Sequence, residues 1–136
     1  MFTKNTLHTV LILAFVFTAA ASIARDYIIY SIAQDLPMGE PNEFIKKNYY
    51  IDIGSEQGVE PGNKLKVYRS ISRLDPYQSK KRYNYNVPIG TIEVIHVEQN
   101  SAIAKMHTNE INSKDSPYTE IKDFMIGDRV DIRVSE

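Results

Sequence analysis

Three glycines recur at every fourth position in Gly54-Ser55-Glu56-Gln57-Gly58-Val59-Glu60-Pro61-Gly62-Asn63, between two segments of alternating apolar residues. A glycine-rich loop cradles phosphate with its backbone N–H groups when four residues separate the glycines and Lys-Ser/Thr follows. Here three residues separate them, Asn63 follows Gly62, and Glu56 and Glu60 would repel a phosphate. The spacing therefore predicts a structural turn and no nucleotide. Gly54 and Gly58 are expected to supply positive φ, Val59 to plug a barrel end, and Pro61-Gly62 to make a second turn.

The other chemistry-bearing residues are scattered. Cysteine is absent, which excludes disulfides, thiolate metal sites and a cysteine nucleophile. A turn near Asn100 would pair His96 with residues near 104 rather than with His107, so no shared metal is expected. No Ser/His/Asp set sits on a recognisable nucleophile turn. Asp52, Glu93, Asp128 and Asp131 read as solvated faces and turn caps. The residues therefore predict neither catalysis nor a cofactor. One cluster stands out as a candidate partner surface: Arg69, Arg73, Tyr77, Lys80, Lys81, Arg82, Tyr83 and Tyr85, on a loop expected from Ser70 to Asn86. Cations interleaved with aromatic rings can stack on single-stranded nucleic acid, but an address outside the cytoplasm argues against it; anionic headgroups or a protein surface are the expected targets, and no nucleic acid is. The net charge of −1 gives no general pull toward nucleic acid.

The elements that must position these residues follow from patterning. Asn5 to Ala24 contains no Asp, Glu, Lys or Arg, and Lys4 precedes it. Residues 1–24 are read as a hydrophobic helix, either a signal peptide ending at its Ala-rich stretch or a retained anchor. Both place the rest of the chain outside the cytoplasm. Residues 25–47 read as a helical extension, with Ile28, Ile29, Ile32 and Leu36 on one face, ending in a linker at Pro37, Gly39 and Pro41. From residue 48 the period changes to two. Tyr49, Ile51 and Ile53 share a face, as do Leu65 and Val67. A strand from Val87 to Val97 carries Gly90 at an expected bulge. A turn at Gln99-Asn100 leads into Ala102 to Met106, and Val130, Ile132 and Val134 point inward on a last strand. A second loop is expected from Thr108 to Lys122. The reading is an all-β domain over residues 48–136, a small barrel of five to six strands, SH3-like or OB-like.

Tyr49 to Arg69 also resembles the opening of the C-terminal domain of the flagellar assembly protein FlgT. That pattern is a strand, then G-S-x-x-G-hydrophobic-x-x-G-[DN]-x-hydrophobic, then a second strand. Pro88 to Ile95 and Ser101 to Ala104 resemble its following strands, and Ile126-Gly127-Asp128-Arg129-Val130 its closing turn. A similar grammar occurs in the barrels of the rod-shape protein MreC. The resemblance spans residues 48 to 134 and implies a non-enzymatic scaffolding module of the cell envelope. Gly54, Gly58, Pro61, Gly62, Gly127 and Asp128 would then be structural turn residues. The expected partners are envelope proteins and membrane headgroups, with a cell-wall or small-ligand binding domain as the alternative.

Overall fold

A computed structural model describes residues 25–111, 114–117 and 120–134, with side chains up to residue 132. Six strands close into an antiparallel barrel in the order β1-β2-β5-β4-β3-β6: β1 (Tyr27–Gln34), β2 (Lys47–Ile51), β3 (Lys64–Leu74), β4 (Arg82–Val97), β5 (Ala102–Asn109) and β6 (Arg129–Val134). The all-β barrel expected from the sequence is present. The hydrophobic segment 1–24 lies outside the described residues. No helix among the described residues is long and apolar enough to cross a membrane.

The first correction concerns residues 25–47. Tyr27–Gln34 is a strand, not a helix, and it pairs with both β2 and β6. Its composition suits that state, since Tyr and Ile are favoured on a pleated surface. More decisively, β1 occupies the gap between β2 and β6. It gives the backbone of both neighbours partners that a helix could not supply. The barrel therefore begins at Tyr27 rather than at residue 48. Ile29 is fully buried, whereas Leu36, assigned to the same helical face, is 83% exposed.

Alternation carries the core. Tyr49, Ile51 and Ile53 are fully buried, as are Leu65 and Val67. On β4 the buried set changes phase, from Val87 and Ile89 to Ile92 and Val94. Register shifts opposite Val67/Tyr68 and at Thr91/Ile92 account for the change. An inserted residue turns the following side chains to the other side of the strand. A comparable shift sits between Leu65/Lys66 and β6, and there the prediction for Ile132 fails. Val130 is buried, but Ile132 lies at the irregularity and is 43% exposed.

The first predicted loop shrinks, and the second lengthens to residues 110–128. β3 and β4 continue as a paired ribbon through Leu74↔Arg82, leaving only residues 75–81 as its tip. β5 runs to Asn109, and the irregular segment after it crosses one mouth of the barrel. Ile111, Ile121 and Phe124 from that segment are buried against the core. The other pole is closed by the Gly54–Asn63 turn and the β4–β5 turn. Ser55 and Glu56 donate backbone N–H bonds to the carbonyls of Glu98 and Gln99 there. Val59 is buried in this pole, as predicted for a plug. Gly58 and Gly62 adopt positive φ, but Gly54 does not, at φ −144°. Gly54 is needed for closeness instead. A Cβ there would sit 2.4 Å from the carbonyl oxygen of Glu98.

Candidate functional site

The ribbon of β3 and β4 is the most distinctive surface feature. From the barrel wall outward, Arg69↔Val87, Ile71↔Tyr85 and Arg73↔Tyr83 are cross-strand pairs. Paired residues in an antiparallel ladder project to the same side. One side of the arm therefore carries Ile71, Arg73, Tyr83 and Tyr85, and the other carries Ser70, Ser72, Asn84 and Asn86. Ser70 Oγ donates to Asn86 Oδ1 at 2.8 Å across the polar side.

The tip is built by Asp75, whose Oδ1 accepts the backbone N–H groups of Tyr77 and Gln78. Lys80 occupies the left-handed region at φ 75°. Tyr77 stands 95% exposed. Lys81 Nζ lies 5.0 Å from the centroid of the Tyr83 ring, a cation–π contact. Among the described residues no carboxylate pairs with Lys80, Lys81 or Arg82.

Two of the expected partner-surface residues are diverted. Arg73 is paired with Glu120 at the surface. Arg69 turns inward and forms a fork with Asp128, Nε to Oδ1 at 2.7 Å and Nη2 to Oδ2 at 2.8 Å. Its Nη2 also donates to the carbonyl of Asp123 at 2.7 Å. Asp128 is not a solvated carboxylate: its side chain is 2% exposed. It is a turn cap, since Oδ2 also accepts the N–H of Met125. The same turn binds β1, with Ile29 N–H donating to the Asp128 carbonyl and Gly127 N–H to the Ile29 carbonyl. Arg69 and Asp128 thus tie β1, β3, β6 and the mouth-crossing segment into one hydrogen-bonded knot. Asp52 plays a similar part, accepting the Ile28 N–H at 2.7 Å.

Under the mouth, Tyr49 packs edge-on against Phe124 with centroids 5.4 Å apart. The Tyr49 hydroxyl is buried without a hydrogen-bond partner among the described residues. The Lys47–Asp123 ion pair lies beside it. Burial, reinforced by the Asp123 charge, raises the Tyr49 pKa above its ordinary value. Burial lowers the Lys47 pKa, but the hydrogen bond to Asp123 and neighbouring charges outweigh it, so the net shift is upward. Both groups hold their protons longer in the folded state than in the unfolded one. Their stabilising contribution is complete at neutral pH and falls as pH rises above ~10. Tyr49→Phe removes an unpaired buried hydroxyl. It is expected to leave stability unchanged or raise it by about 1 kcal/mol at pH 7, and to flatten the alkaline loss. Urea unfolding at pH 7 and pH 10.5 (about half a unit above the usual Tyr value) checks both; a loss of stability at pH 7 would show that the hydroxyl is satisfied.

His96 and His107 point to separate carboxylates, His96 Nε2 at 2.7 Å from Glu98 and His107 Nδ1 at 3.8 Å from Glu93. No group of three or more potential metal ligands occurs among the described residues. An open groove of about 570 Å³ runs on the outer wall beside Arg25, Tyr27, Tyr68, Arg129 and Ile132. Its arginines are occupied within the chain, Arg25 with Asp52 at 3.5 Å and Arg129 with Asp26 at 3.4 Å.

Residues 46–114 match the family described as flagellar assembly protein T, C-terminal domain. The chain belongs to that family. The match covers β2 to β5, and therefore the whole arm and the Gly54–Asn63 turn. The strands that close the barrel, β1 and β6, and the Gly127-Asp128 turn lie outside it. No curated protein matches the chain.

The sequence picked out the arm residues by composition but missed the Arg69–Asp128 pair. Its only signal was a Gly-Asp turn that asks for a capping carboxylate, and nothing local marks a cation 59 residues away as its partner.

Proposed function

We propose that the protein is a non-enzymatic assembly component of the flagellar apparatus in the cell envelope, acting through protein–protein contacts made by its β3–β4 arm. The observation that carries this reading is the arm itself. It is a two-stranded ribbon that runs on past the β3–β6 and β4–β5 ladders, its base packed on the core through Ile71, with exposed Tyr77, Tyr83 and Tyr85 and three cations that no carboxylate neutralises among the described residues. Exposed tyrosines beside an arginine are residue types enriched in protein interfaces. Membership of a flagellar assembly family supports the setting. The barrel interior is filled by apolar side chains, which leaves its surface to do the work.

The topology also suits a tethered module. β1 and β3 both run antiparallel to β6, so the chain enters β1 from the pole opposite the arm tip. With residues 1–24 either retained as an anchor or cleaved, the arm lies in the extracytoplasmic space.

Shortening the arm tests this. Leu74 and Arg82 are the last pair, so residues 75–81 can be replaced by an Asn-Gly turn, which suits a two-residue hairpin. The barrel should keep its melting temperature, while flagellation of cells carrying only this variant should fall severalfold. Full flagellation with the shortened arm would remove the proposal.

A further inference from the structure

Resting on the arm as the contact element, we infer that its outer β4 edge, Arg82 to Asn86, receives an extended acidic segment of a partner protein as an added strand. β5 ends at Asn109, opposite Gly90, while β4 continues outward to Arg82. Beyond the Glu110 N–H bond to the Ile89 carbonyl, no strand among the described residues covers this edge. Unpaired N–H and C=O groups along an extended edge are a template for another strand. The opposite edge is less accessible, because Arg69 and Arg73 bind the mouth-crossing segment at Asp123 and Glu120 beside β3.

Charge fixes the chemistry of the occupant. Arg82 lies at the outer end of this edge, with Lys80 and Lys81 next to it, and none of the three is neutralised by a carboxylate among the described residues. Tyr83 and Tyr85 line one side of the edge, 42% and 52% exposed. A strand alternating carboxylate and apolar side chains would set its acids near the cations and its apolar groups against the tyrosines. Cations on a free edge also discourage self-pairing, but that role gives no reason for two half-exposed tyrosines beside them. A lipid headgroup would satisfy the cations and leave the backbone edge open.

An acetylated octapeptide alternating Glu and Val serves as the probe, with full-length protein in mild detergent and a fluorescent label on the peptide. It should bind, and hydrogen exchange of the Arg82–Asn86 amides should slow on binding. The combined Lys80→Glu, Lys81→Glu and Arg82→Glu variant, exposed and outside the core, should weaken affinity at least tenfold, roughly the loss of a few charge contacts. A peptide of the same charge N-methylated at every residue should not bind, because neither of its edges keeps the N–H groups that a ladder needs. Equal binding of the N-methylated peptide would overturn the inference, as would no binding of the Glu-Val peptide. Protection of the same amides by phosphatidylglycerol nanodiscs, but not phosphatidylcholine ones, would assign the surface to lipid and overturn it as well. Failure here, with flagellation still dependent on the arm, would remove the edge while leaving the assembly role standing.

Discussion

Asp128→Ala is expected to destabilise the barrel by about 3 kcal/mol, a large share of the ~5–15 kcal/mol available to a domain of this kind. Three losses coincide. The Arg69 guanidinium, mostly buried, loses both hydrogen bonds to the carboxylate. The N–H of Met125 loses its cap. The turn that receives the backbone of Ile29 loses the group that holds its shape. Truncating one member of a buried pair is costlier than the pair's net worth, because the partner charge stays behind without compensation. Arg69 keeps a hydrogen bond to the Asp123 carbonyl and some contact with solvent, which places the expected cost at the lower end of the range for buried pairs. Asp128→Asn should cost less, since the amide oxygen can still cap Met125. In a double-mutant cycle, Asp128→Asn with Arg69→Met should show a coupling of at least about 1 kcal/mol. Urea midpoints measure all of these, and additive single-variant losses would mean that the fork contributes no coupling.

What could be read from the sequence, and what could not, divides by range. The strands around Tyr49, Ile51, Ile53, Leu65 and Val67 were legible because a half-buried strand writes its period locally. So was the Asn100 turn, where His96 meets Ile103 as the pairing arithmetic required. The glycine-punctuated turn was legible in outline, but Gly54 was assigned the wrong reason, since crowding by Glu98 is a tertiary fact. β1 was misread because Ile28, Ile29, Ile32 and Leu36 fit a helical face as well as a short strand. What decides between them is a gap between β2 and β6 that no local pattern reveals. The arm was read as a loop because its polar and charged residues resemble one; its strand character comes from the pairing of Ser70 with Asn86 and Arg73 with Tyr83. The candidate surface survives that correction with a changed membership. Arg69 leaves it for the Asp128 knot, and Arg73 is shared with Glu120.

Gly90→Ala is expected to cost about 3 kcal/mol and to loosen the base of the arm. An added Cβ would sit 2.1 Å from the carbonyl oxygen of Thr108 and 2.9 Å from Phe124 Cζ. The Thr108 oxygen belongs to the β5 backbone, so it can retreat only by disturbing the β4–β5 ladder, in which Gly90 faces Asn109 and Thr91 faces Thr108. Phe124 can retreat only by leaving Tyr49 and opening the barrel mouth. Gly58→Ala is the control: its Cβ would meet nothing within 4 Å, and its cost, about 1–2 kcal/mol, comes from φ of +83° alone. If Gly58→Ala proved the more damaging of the two, the close approach at Gly90 would not be a determinant of the fold. The site has a wider meaning, because β4 serves two structures. On one side of Gly90 it presents Ile92 and Val94 to the core. On the other it presents Val87 and Ile89 to the core before running out into the arm, where Tyr83 and Tyr85 are exposed. The phase change within the wall occurs where a side chain cannot fit. In Gly90→Ala, hydrogen exchange should therefore quicken at residues 82–89 more than in the turn after Gly54, which the far pole holds independently.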